Sequence, residues 1–69
     1  MEYQLFEKTG SRDAVAVKDC TDDFAAEKWA QNWTTMNGKT DEYLLERSGG
    51  GFSALVFKTV AGQWYMMRR

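Results

Sequence analysis

The chain has no histidine, no proline and a single cysteine. Without histidine there is no imidazole to act as a base near neutral pH, and no His-based zinc site. General acid–base work would fall to carboxylates, lysine, tyrosine or Cys20. One cysteine excludes an internal disulfide, and the lack of disulfides fits a reducing compartment, so a cytoplasmic location is expected. No apolar run approaches the about 18–20 residues that a membrane-spanning helix needs. The opening segment MEYQLFEKTG lacks a basic stretch followed by a long apolar one, so it is not expected to be a signal peptide. Basic charge is not in surplus and the balance is slightly acidic: 9 Lys and Arg against 10 Asp and Glu give a formal net charge of −1. A general nucleic-acid binder usually carries a basic surplus, so nucleic acid is a disfavoured partner.

What remains is apolar and aromatic. At 69 residues the chain is expected to be one small domain, and 43% hydrophobic with 14% aromatic residues is too rich for a disordered one. A chain this short buries only about 60% of its unfolded surface, so aromatics, at roughly 150–250 Å² each, must supply much of the core.

Residues 3–8 (YQLFEK) alternate in the manner of a strand, as do residues 13–19 (DAVAVKD), with Gly10 and Ser11 as turn formers between them. The period then changes. Residues 21–38 (TDDFAAEKWAQNWTTMNG) read as a helix, with Thr21 or Asp22 as its cap and Asn37-Gly38 as its stop. At about 100° per residue, Ala25, Ala26, Trp29, Trp33 and Met36 fall on the apolar face. Glu27, Lys28, Gln31 and Thr34 fall on the other, and Phe24 lies away from the stripe, as a staple over the helix start or exposed. Three further strands follow at residues 41–48 (DEYLLERS), 52–59 (FSALVFKT) and 63–69 (QWYMMRR), separated by GGG and by a turn at Gly62. The expected fold is α+β, a single helix packed on a mostly antiparallel five-stranded sheet, in the order β-β-α-β-β-β. One helix covers one face of such a sheet, and the other face should then read polar. It does not. Either the sheet curls around the helix or apolar surface is left over.

Little in the chain suggests catalysis, and no cofactor or metal is expected. Cys20 precedes the helix start, where a dipole lowers a thiol's pKa, but a small cysteine at a strand–helix junction more often simply packs. Asp19, Asp22 and Asp23 match no calcium loop, and capping with solvation accounts for them. The GGG segment lies between two strands instead of opening a helix, so a hairpin turn is expected over a phosphate cradle. Trp29 and Trp33, four residues apart, read as core face in preference to a stacking site. The sheet aromatics Phe6, Tyr43, Phe52, Phe57, Trp64 and Tyr65 cannot all lie under one helix.

An N-terminal hairpin, one helix of the AEKWA type and a C-terminal hairpin closing on AGQW give the chain a plan that resembles small phage-encoded anti-CRISPR proteins. The resemblance implies a stoichiometric, non-enzymatic inhibitor that docks on a Cas subunit or surveillance complex and blocks DNA engagement. It brings no catalytic residue. The acidic balance suits a protein that mimics DNA or docks on a basic surface.

The leading expectation is therefore a protein-binding module, with Tyr65, Met67, Arg68, Arg69, Lys58 and Arg47 as the contact residues. Tyr, Met and Arg are enriched in interface cores, and arginine's planar donors suit their rims. In the last strand Trp64 and Met66 are expected to meet the helix, leaving Tyr65 and Met67 to face a partner, although the alternation allows the opposite choice equally well. Two other readings stand beside it. One is a single-stranded nucleic-acid module using the sheet aromatics with Arg12, Lys18, Arg47, Lys58, Arg68 and Arg69. The other is a homodimer that buries its spare sheet face or pairs its edge strands.

Overall fold

The change of period along the chain is a change of structure. In the computed structural model, β1 spans Glu2–Glu7, β2 Ala16–Asp19, α1 Asp23–Asn37, β3 Glu42–Arg47, β4 Ser53–Lys58 and β5 Trp64–Arg68. The structure describes residues 1–10 and 13–69. The turn expected at Ser11, and the place of Arg12 in the basic set, lie outside them. The strands form one five-stranded sheet in the order β2-β1-β3-β4-β5, with every neighbouring pair antiparallel. This is the expected α+β class and element order. β2 and β3 both flank β1, so α1 carries the chain across β1 from one to the other.

β2 begins later than the alternation of residues 13–19 suggests. Ala16 pairs with Leu5, yet the amide of Val15 also donates to the Leu5 carbonyl at 2.7 Å. Two residues thus face one, and the ladder gives way there.

The helix starts where a cap exists. Asp22 is extended (φ −157°) and its carboxylate accepts the Ala25 amide at 2.8 Å, so Asp22 takes the cap. The helix ends at Gly38 as expected from Asn37-Gly38, but not because the glycine takes a left-handed conformation. Gly38 has φ −64°, open to any residue. Its role is space: a Cβ there would stand 2.5 Å from the Thr34 carbonyl oxygen and 2.8 Å from Cζ2 of Trp64. Positive φ is needed in the turns instead, at Gly49, Gly50 and Gly51 between β3 and β4, and at Gly62 before β5.

The core lies between α1 and one sheet face. Tyr3 and Leu5 from β1, Tyr43 and Leu45 from β3, Ala54 and Val56 from β4, and Trp64 from β5 are buried there. The period of two places them all on the same side. The helix buries Ala26, Ala30 and Thr34, three small residues at four-residue spacing. Small side chains let the helix approach closely, and the rings of Trp29 and Trp33 fill the flanks. The sequence stripe was rotated from this. Met36 is 81% exposed, whereas Thr34, expected outside, is buried with its hydroxyl donating to the Ala30 carbonyl at 2.9 Å. That internal hydrogen bond lets a threonine sit in the contact face. Phe24 is exposed, beneath the ammonium of Lys28 at 5.3 Å from the ring centre.

Candidate partner-binding surface

The other sheet face has no helix over it. Register places its residues in rows across the strands. Phe6 faces Leu44, Leu44 faces Leu55 and Leu55 faces Met67, so one apolar row crosses β1, β3, β4 and β5. On one side runs a polar row: Gln4, Glu46 and Ser53, with Val17 on β2 at the far edge. The Arg69 amide donates to the Ser53 carbonyl at 3.0 Å, which continues this row beyond β5. On the other side Glu42 faces Phe57 and Phe57 faces Tyr65. The Phe57 and Tyr65 rings lie 6.2 Å apart, and Lys8 reaches Glu42 at 3.7 Å. Apolar surface is thus left over.

The predicted contact residues divide between the two faces. Tyr65 and Met67 stand on the outer face at 47% and 56% exposure, with Arg69 beside them. Trp64 is buried and Met66 packs against the core, as expected. Arg47, Lys58 and Arg68 share the strand parity of the buried face. Lys58 is exposed at the opposite end of β4 from the two arginines, facing Trp64 across the ladder.

Arg47 and Arg68 hold the start of the helix. Arg47 donates from Nη2 to both oxygens of Asp23 at 3.2 Å. The buried Tyr3 hydroxyl donates to the same carboxylate at 2.6 Å. Arg68 donates to Glu27 through Nε at 2.8 Å and Nη2 at 3.2 Å, and its guanidinium lies 5.4 Å from the centre of the Phe52 ring. Phe52 in turn meets Tyr3 edge-to-face at 6.0 Å. The Tyr3 hydrogen bond, helped by the charge of Arg47, holds Asp23 below the usual carboxylate range. Burial, together with that hydrogen bond, pushes the Tyr3 hydroxyl up. The hydrogen bonds from Arg68 to Glu27 hold its guanidinium in the charged form.

No family model, curated protein or solved structure matches this chain.

The remaining candidates for chemistry read as structure. Cys20 is buried, and burial pushes its thiol up, away from the thiolate that a nucleophile needs. Asp22 caps the helix and Asp23 is held by Tyr3 and Arg47. Among the described residues no three His, Cys, Asp or Glu side chains gather as metal ligands, and no helix is long and apolar enough to cross a membrane. The triglycine turn borders a groove of about 670 Å³ that holds Arg47, Arg68 and Arg69, but also Asp23 and Glu46. Trp33 packs edge-to-face on Tyr43 at 5.9 Å, inside the domain.

Sequence reasoning centred the contact surface on β5 and passed over Leu44 and Leu55. It named Phe6 and Phe57 among the aromatics that one helix cannot cover, without placing them in the contact set. The alternation of β1, β3 and β4 carried that signal: each strand has apolar residues at both parities, and one parity is used up by the helix.

Proposed function

We propose that the chain is a non-enzymatic protein-binding module and that the outer sheet face is its docking surface. The observation that carries this reading is the uncovered apolar row from Phe6 to Met67, with the polar row of Gln4, Glu46 and Ser53 along one side and Lys8, Glu42, Phe57 and Tyr65 along the other. An apolar centre with a polar rim is the anatomy of an interface. The contact set shifts accordingly. Tyr65, Met67 and Arg69 remain in it, joined by Phe6, Leu44, Leu55 and Phe57. Arg47 and Arg68 leave it, because Asp23 and Glu27 already engage them. The same engagement weakens the nucleic-acid reading, and Glu42 and Glu46 on this face would repel a phosphate backbone.

An inhibitor that docks on a host CRISPR–Cas complex belongs to this class, on the strength of the resemblance in plan. The test is capture of purified surveillance complexes, and of a bacterial lysate, by the wild-type chain and by a Tyr65→Ala/Met67→Ala variant of unchanged far-UV spectrum. The expected result is a captured protein that the variant loses. Equal capture by both would place the docking surface elsewhere.

A further inference from the structure

Resting on the reading of the outer sheet face as a docking surface, we propose that its occupant is a second copy of this chain. The two copies pack face to face about a two-fold axis that runs parallel to the strands, between β3 and β4.

The symmetry follows from geometry. Only a two-fold axis lying in the interface plane turns a sheet face onto itself. An axis across the strands stacks each strand on its own copy and brings the β3 acids, Glu42 and Glu46, together. An axis along the strands keeps each row opposite itself and exchanges β3 with β4 and β1 with β5. Leu44 then meets Leu55 of the second copy, and Phe6 meets Met67. In the polar row Glu46 meets Ser53 and Gln4 meets Arg69, so no like charges are opposed. In the third row Lys8 meets Tyr65, a cation over an aromatic ring. Aligned sheets pack about 10 Å apart and about 30° askew, so the match is closest beside the axis, at Leu44 and Leu55.

Shape points the same way. Met67 is 56% exposed and stands out from β5. Opposite it, beside Phe6, lies a hollow of about 440 Å³ lined by Phe6, Lys8, Leu44 and Glu46, among others. The axis sets each Met67 against the other copy's hollow. Four strands about 4.8 Å apart and five residues long at about 3.4 Å each outline roughly 19 by 17 Å, about 320 Å² per copy in plan. The total of about 650 Å² in plan lies below the about 1,000 Å² of a specific, stable interface, so the dimer is expected to be weak.

Sedimentation equilibrium from about 10 µM to about 1 mM tests this. The wild-type mass should climb from the 7.9 kDa of one chain toward twice that. Leu44→Lys and Leu55→Glu each put an unpaired charge into the centre and should weaken the dimer at least about 100-fold. Mixed in equal amounts they should associate again, at least about tenfold more tightly than either alone, because this axis sets the introduced ammonium of one variant against the introduced carboxylate of the other. Met67→Lys, at an exposed edge position that tolerates charge, should also dissociate the dimer. No recovery in the mixture overturns the proposed axis. A wild-type monomer at about 1 mM overturns the second copy as occupant. If Leu55→Glu then abolishes capture of an outside protein, the docking surface stands without the dimer. A wild-type dimer indifferent to all three substitutions would overturn this face as the dimer interface, leaving the docking surface to the capture test.

Discussion

Two residues near the ends of α1 show how far single side chains set this fold. Gly38 is placed by space. Adding a Cβ drives an atom into the buried Trp64 ring and the last turn of the helix, while the backbone angle itself gives alanine no difficulty. Gly38→Ala should therefore cost about 1–3 kcal/mol, the usual range for overpacking, and lower the melting temperature by about 4–8 °C per kcal/mol in a chain of this size. Unchanged melting would mean that Trp64 yields freely. Asp23 works through charge. Its folded pKa lies below the ordinary value, so its contribution is present above about pH 4 and is lost as pH falls through the lower folded value. Tyr3 has the opposite shift, so its contribution is present below about pH 10 and is lost as pH rises beyond it. Tyr3→Phe should flatten the alkaline limb of a stability–pH curve and shrink the part of the acid limb that Asp23 contributes. An alkaline limb unaltered in Tyr3→Phe would remove Tyr3 as its source.

Elements obey a coarser logic. α1 meets the sheet through Ala26, Ala30 and Thr34, and its long side chains engage the sheet from the sides: Gln31 donates to the Trp64 carbonyl at 2.8 Å, and Glu27 holds Arg68. Enlarging the central contact should lift the helix off the sheet. Ala30→Leu is expected to destabilise by about 1–3 kcal/mol, whereas a double-mutant cycle on Glu27 and Arg68, more than half exposed at the arginine, should return no more than about 1 kcal/mol. Urea denaturation of the variants beside the wild type measures both. A coupling several times larger would make the ion pair the main anchor. The same contact shows what the sequence could and could not disclose. Periodicity located the elements, because buried faces repeat every 2 or about 3.6 residues. It rotated the helix by weighting large apolar residues, and so put Met36 inward and Thr34 outward. A close contact selects small residues, and a threonine that bonds its own backbone is nearly apolar outside. In β5 the alternation separated Trp64 and Met66 from Tyr65 and Met67, but nothing local named the acids on α1 that claim Arg47 and Arg68. Those pairs join residues 24 and 41 positions apart, which no short pattern encodes.

At the scale of the whole molecule, one helix has been asked to cover a sheet with two apolar faces. A 69-residue chain has little stability to spare, so a face that stays wet forfeits burial it can ill lose. Self-association of the kind proposed would recover that burial, and by mass action it would then appear as stability. If native chains pair and unfolded chains do not, each tenfold rise in concentration above the dissociation constant favours the dimer by about 1.4 kcal/mol, shared between two chains. From about 10 µM to about 1 mM the wild-type melting temperature should climb, by no more than about 5–10 °C. Leu55→Glu should melt at one temperature across that range, below the wild type at high concentration. If the apolar row carries the association, raising salt should leave the climb intact, unlike binding carried by Lys and Arg on phosphate, which salt weakens steeply. Differential scanning calorimetry at three concentrations and two ionic strengths decides among these. A climb that vanishes in high salt would assign the association to charge and away from the row of Phe6, Leu44, Leu55 and Met67. A wild type whose melting ignores concentration would leave the face uncovered by its own kind.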